Sequence, residues 1–453
     1  MKKFARWPML LALFSFSFAA LAQDSDSLPP NALAGMHPMH ANNSANAHKP
    51  GNIPTPHGFP QGIDTITNFT DHFESQGVFF DGSAHHIWEF SMVGNPPEQG
   101  GTTVLNAPVV PVSLDLRNAD GSPRFVKVVN GKVVTCGQNG VPLDNTCQRL
   151  FSDVTPFIQP FLNGPVLSNA NYTSSPTPTQ ITDAIQRAEF GNHARDDWHT
   201  LLSPSVKTAE TMTIVQNQNA HGQFAYRFAL NPDGSCCFFV LIRGDVFDTL
   251  LFQQNPAGPD NNSVIGQAEL AGNITTKDIS TFFFPNAYLF SPINGGCCVL
   301  GFHTIDVEPG NAPGLPANGN LTRFFILNYS SWISPGLFGG GFQDVTAHSH
   351  EVAETFNDPF VAVDGIHNVT PFWLNPAGQC QDVMEDGDVI EDLPNPVFPV
   401  TINGFTYHPQ TVALLPWFEF QRNSSAIDNA YSYPNEDALT QLSAPQPLNC
   451  GIQ

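Results

Sequence analysis

Basic residues are scarce in this chain. Its 453 residues include 17 Lys and Arg against 40 Asp and Glu, a formal net charge of −23. Charged residues make up only 13% of the sequence, so the imbalance comes from missing cations and not from acidic tracts. Such a chain repels a phosphate backbone, and neither nucleic acid nor an anionic membrane surface is expected as a partner. Long apolar runs are also lacking: after the N-terminal segment, nothing approaches the roughly 20 uninterrupted apolar residues that a membrane helix needs. No integral membrane segment is therefore expected in the mature chain. A G-x-S-x-G elbow and a phosphate-cradling glycine loop are missing too, which argues against a serine hydrolase or a nucleotide enzyme. There is no internal repeat.

What is present begins with an export signal. "MKKFARWPMLLALFSFSFAALA", residues 1–22, places Lys2, Lys3 and Arg6 before a short apolar run that ends in Ala20-Leu21-Ala22. That pattern predicts cleavage near Gln23 and a secreted or periplasmic protein. The 8 cysteines suit an oxidising compartment, where an even count favours disulfides. Cys136 and Cys147 enclose a short polar loop and are expected to pair. The doublets Cys236-Cys237 and Cys297-Cys298 are expected to staple adjacent strands to each other or to partners elsewhere, and Cys380 to tie back Cys450. Residues 23–60 are rich in Pro, Asn, Ala and His without an apolar period, and read as a disordered linker with solvated histidines.

From residue 61 onward, aromatic and β-branched segments alternate with Gly, Pro and Asn. Phe alone contributes 37 residues, ample for a core. The length predicts two closely packed lobes, a β-rich N-terminal lobe over 61–200 and a second lobe over 201–453. Strands are expected in "TTVLNAPVVPVSLDL", "ETMTIVQNQ", "FAYRFAL", "CCFFVLIRG", "STFFFPNAYLF", "CCVLGFHTI" and "LTRFFILNYSSW". "HHIWEF" alternates as a strand expected to pack Ile87 and the Trp88 neighbourhood. A helix is expected over Thr179 to Gly191, where Ile181, Ala184, Ile185 and Ala188 fall on one face. After the glycines Gly339, Gly340 and Gly341, "FQDVTAHSHEVAETFNDPF" reads as a second helix, started by Gln343 or Asp344 and stopped by Asn357-Asp358-Pro359.

This second helix carries the chemistry. His350 and Glu354 are four residues apart, about 40° in projection, so both can grip one ion. Glu351 lies beside them, where a carboxylate can act as general base toward a water activated by a metal. The pattern is HExxE, the zinc-peptidase HExxH with a carboxylate in place of the second imidazole. His348 lies roughly 200° from His350 and is expected behind the helix. A catalytic zinc takes three protein ligands, and the third is sought in "GQCQDVMEDGDVIED", with Glu385 or Asp388 favoured, Asp382 behind, and His367 and His408 as alternatives. "GNHARDDWHTLLSP" places His193, Asp196, Asp197 and His199 close together, and reads better as a polar connection than as a second metal site. Trp373, Trp417 and Phe418 read as core.

The order "DVTAHSHEVAETFNDP", "QCQDVMEDGD", "NGFTYHP" and "ALLPWFEF" resembles secreted zincin-like proteins with an SHExxE helix, an Asp-Pro stop and a downstream ExGD beside a cysteine. The plant phosphate-induced Exordium group is similar at a greater distance. Ser349, His350, Glu351 and Glu354 match the helix, Asp358-Pro359 its stop, Glu385, Gly387 and Asp388 the ExGD, and Cys380 the cysteine. The likeness covers about the last 130 residues. It implies an α+β architecture: a zincin-like lobe with a mixed sheet and an HExxE helix, preceded by a β-rich lobe. The expected function is an exported zinc-dependent hydrolase acting on a peptide or protein, with Glu351 as base and His350, Glu354, Glu385 and Asp388 as metal residues. The alternative is a non-catalytic binding or structural protein on the same fold.

Overall fold

The structure is a computed structural model that describes residues 26–29, 31–34, 36, 62–76, 85–169, 179–231, 238–255, 257–319, 321–361, 369–374 and 380–442. The export signal, Cys236, Cys237, His367 and Cys450 lie outside the described residues, as do the side chains of Trp373, Cys380 and Asp382. The architecture is mixed α+β, with a large mixed sheet and few helices.

The longest strand, Thr102–Arg117, organises an 8-stranded sheet. Along its first half it pairs in parallel with His199–Val206 and, further on, with Glu210–Val215. Ile279–Pro285 also lies parallel to it and pairs in turn, again in parallel, with Thr322–Trp332. Gly301–Glu308 adds antiparallel to Thr322–Trp332. Why the sequence makes this sheet is visible in "ISTFFFP": all seven residues are buried, the continuous apolar run of a strand covered on both faces. Period-two alternation then divides the run between two cores. Phe283 joins Ile305 and Ile326 on one face, while Phe282 and Phe284 join Phe302 and Phe325 on the other.

The first face is covered by two helices, Ile181–Phe190 and Thr346–Asn357, through Ile181, Ala184, Ile185, Val352, Ala353 and Phe356. The second is covered by the helices Gly244–Leu251 and Val264–Leu270 and by a four-stranded sheet of Tyr226–Leu230, Phe238–Arg243, Ala287–Phe290 and Cys297–Val299. The expected strands and both expected helices are therefore present, with the long helix ending where Asp358-Pro359 was expected to stop it.

Four expectations change. The boundary at residue 200 falls inside strand His199–Val206, and one sheet joins strands from both expected lobes, because parallel pairing recruits segments distant in sequence. The start of the expected linker is docked and not disordered. Leu28 and Leu33 are buried, Leu28 and Phe228 share backbone hydrogen bonding, and Asp26 pairs with the buried Arg124. A short segment with two apolar anchors and an acid for a buried cation has reason to be ordered. Cys297 and Cys298 lie at disulfide distance of each other instead of bridging strands, while Cys136 and Cys147 pair as expected. In strand His85–Val93, Ile87 is 69% exposed, and Phe90 and Met92 occupy the core instead.

Candidate metal centre

Every residue of the helix Thr346–Asn357 is buried. Its first turn is tied down by Thr346, whose hydroxyl lies within donating distance of the carbonyls of Gln343 and His408, one of which takes its proton, and accepts from the Gln343 amide. Asp344 does not cap a helical N–H; its carboxylate accepts from the amides of Val345 and His408 and from the His408 ring. His408 belongs to none of the groups of metal-capable side chains found among the described residues. His348 points at the sheet, with its ring 4.3 Å from that of Phe161 and Nε2 3.5 Å from Thr281 Oγ1. Burial pushes its pKa down to about 3, so it is neutral.

His350 is held in one tautomer by its neighbours. Gln410 Nε2 donates to the carbonyl of Gly387 at 2.7 Å, which turns Gln410 Oε1 toward His350 Nδ1 at 3.1 Å. Nδ1 must then be the donor, and Nε2 is left facing carboxylates: Glu354 Oε1 at 3.0 Å and Asp388 Oδ1 at 3.3 Å. The ExGD glycine has a packing reason, since a Cβ on Gly387 would stand 2.6 Å from His350 Nδ1. Gly301 plays the same part beside Glu351, where a Cβ would come within 2.7 Å of the side chain.

A second imidazole arrives from the sheet. His303, on strand Gly301–Glu308, has Nε2 3.2 Å from the carbonyl of Asp358, a contact that makes Nε2 the donor. Its Nδ1 faces Glu354 Oε2 at 3.3 Å and Glu351 Oε2 at 3.7 Å. Glu354 thus presents one oxygen to each histidine. Glu354, Glu385 and Asp388 bring ligand atoms within 4.8 Å of one another, as do His350, Asp388 and Glu391, and His303, Glu351 and Glu354. All five residues singled out in the sequence, His350, Glu351, Glu354, Glu385 and Asp388, are brought together. The acidic segment is no solvated turn: Glu385, Asp386, Asp388 and Glu391 are all buried.

The electrostatics ask for a cation. Burial works against charge at each imidazole, yet Glu351 and Glu354 beside His303, and Glu354 and Glu351 beside His350, raise both pKa values well above the usual one. Burial pushes Glu351 up to about 7, against the pull of His350. For Glu354 burial also opposes charge, but His350 and His303 together outweigh it and the pKa ends below the usual value. Asp386 is raised well above its usual value by burial and by the nearby Glu354 and Glu189. Two nitrogens that face carboxylates inside the protein must carry protons or share a metal ion. The spacing fits a metal: bonds of ~2.05 Å in a tetrahedron separate ligand atoms by about 3.3 Å. These buried acidic and histidine side chains can hold a metal ion.

Sequence reasoning missed His303, Glu391 and Gln410. His303 carried one signal, a lone imidazole inside an otherwise apolar strand, "CCVLGFHTI". Of the polar residues in "GNHARDDWHTLLSP", His199 pairs with Asp183 at 2.9 Å and Asp197 with Arg195 at 3.1 Å, so they serve the helix and loop and not a metal group. Trp417 and Phe418 are core, packed edge to face. Comparison with family models, with curated proteins and with solved structures found no match.

Proposed function

We propose that this chain is an exported, zinc-dependent hydrolase, and within that class a metallopeptidase of zincin-like architecture. The observation that carries the reading is the pair of histidines whose tautomers are set by Gln410 and by the Asp358 carbonyl, so that His350 Nε2 and His303 Nδ1 both face the carboxylates of the HExxE helix. His350, Glu354 and Asp388 would hold the ion, with Glu385 and His303 completing its surroundings. Imidazole nitrogen with carboxylate oxygen is a donor set suited to zinc. Bound there, zinc would supply Lewis acidity toward a substrate carbonyl and toward water. Glu351 Oε2, which makes no hydrogen bond, would take the proton of the attacking water and return it to the departing amine. Gln410 would keep His350 in the metal-binding tautomer throughout. Among the described residues no helix is long and apolar enough to cross a membrane, which suits action on a soluble peptide or protein.

The burial of the centre favours a second reading. His350 is 7% exposed and Glu354 1%, as in a closed structural site with no open position for water. On that reading the protein is a non-catalytic binding or structural module. The two part on Glu351→Gln. A hydrolase keeps its zinc in this variant and loses at least about a hundredfold in cleavage of an unstructured protein. Zinc retained in both forms, with no cleavage by the wild type, contradicts the enzyme reading and supports the structural one.

A further inference from the structure

The strand that sends His303 to the metal centre has a second face. Asp306 and Glu308 alternate with His303 and Ile305 and so point to the opposite side of the sheet, where the helix Val264–Leu270 brings Glu269 to meet them. Glu269, Asp306 and Glu308 are 2%, 1% and 1% exposed, and their oxygens lie within 4.8 Å of one another. Three carboxylates gathered beneath a sheet are costly to bury unless something cationic sits among them.

The cationic side chain that the electrostatics place against Glu269 and Glu308 is Arg323 of the neighbouring strand. It is itself buried, and one of its Nη groups donates to the carbonyl of Pro316. One guanidinium stands against three carboxyl groups, and Asp260 adds to the negative field at Glu308. Both oxygens of Glu269 and both of Glu308 accept no hydrogen bond. An independent residue points to the same space. Gln253, 3% exposed, donates from Nε2 to Asp306 Oδ2 at 3.1 Å, which holds its amide against the cluster, and its Oε1 has no partner.

We propose that Glu269, Asp306, Glu308 and the amide oxygen of Gln253 form a second metal site, specific for a hard divalent cation of the calcium class. The donors are all oxygen, without the imidazoles of the first centre, and softer ions lose their advantage there. Two carboxylates able to bind through both oxygens, with one oxygen each from Asp306 and Gln253, supply about six ligands, within the range calcium takes. The ion would tie the helix Val264–Leu270 to strand Gly301–Glu308, bracing from behind the strand that carries His303.

The test is equilibrium dialysis of calcium against the full chain, stripped with chelator and reloaded with zinc, at pH 7.5. One calcium per chain is expected, bound tightly enough to be half-saturated below ~1 mM, the range of extracellular modules. That binding should survive His350→Ala, disappear in Glu308→Gln and weaken at least about tenfold in Gln253→Met, which keeps the volume but removes the ligand oxygen. No bound calcium in the wild type up to about 10 mM overturns the proposal. So does a stoichiometry unchanged in both Glu308→Gln and Gln253→Met, or lost in His350→Ala. If Glu308→Gln does not fold, the wild-type and Gln253→Met measurements decide.

Discussion

At the scale of single residues, the centre is held by groups that do not touch an ion. Gly387 is the sharpest case. Its backbone φ of −70° suits any residue, so its need is spatial: the His350 ring occupies the place of a Cβ. We predict that Gly387→Ala displaces that ring, folds with little change in helix and strand content by circular dichroism, and weakens metal binding by ten- to a hundredfold, the scale seen when supports behind ligands are lost. Unchanged metal affinity would show that the ring does not depend on this approach. Gln410 does related work, and it does not announce itself in the sequence, since a Gln in a loop is ordinary until the fold shows what it faces.

Glu189 gives a residue-scale prediction about pH. Its carboxyl is wholly buried and accepts from Asn357 at 2.6 Å, but burial dominates and lifts its pKa from 4.5 to about 8. The folded protein therefore holds this proton more tightly than the unfolded chain does. The resulting stability is complete below the unfolded value near pH 4.5 and is lost as pH rises through about 8. Unfolding free energy should fall over that window by up to ~1.4 kcal/mol per pH unit from this group. Glu189→Gln, which keeps an acceptor for Asn357 but cannot ionise, should flatten the slope. Urea denaturation at several pH values between these limits checks it, and identical slopes in the two proteins would refute the assignment.

At the scale of elements, the strands decide which residues meet. Ile279–Pro285 and Gly301–Glu308 were legible as strands because their apolar residues run without a helical period. What was not legible is the face each residue takes, which depends on partners far along the chain. His303 and Asp306 stand three residues apart and yet serve opposite sides of the sheet. The helix Thr346–Asn357 was easier, since its 3.6-residue period, its Asp-Pro stop and the His350–Glu354 spacing are all local. Phe283 shows what the helices rest on: it is fully buried and stacked 3.9 Å from Phe161, between sheet and helices. Phe283→Ala is expected to cost about 3–5 kcal/mol in urea unfolding. A loss under ~1 kcal/mol would mean that this core collapses around the gap, contrary to its close packing.

At the scale of the whole molecule, the expected division into two lobes failed for the same reason that His303 was missed. Composition and length suggest how much core a chain can build, but parallel pairing sets where it lies. Thr102–Arg117 draws on segments up to residue 285, so segments from both expected lobes share a sheet. The N-terminal segment is part of that unit too, because the Asp26 carboxylate compensates Arg124 in the interior. Its two buried leucines, in a stretch otherwise polar, were the available sign. The HExxE helix and the acidic segment, by contrast, are legible from residue types at fixed spacing.

The central claim is that the buried carboxylates of the HExxE helix and the ExGD segment share a metal ion with His350. Elemental analysis of the purified, exported chain beside His350→Ala tests it most directly. The account predicts about one tightly held zinc per wild-type chain, as for a site with three or more protein ligands, and its loss in the variant. A wild-type chain that is fully folded and free of transition metal would contradict it.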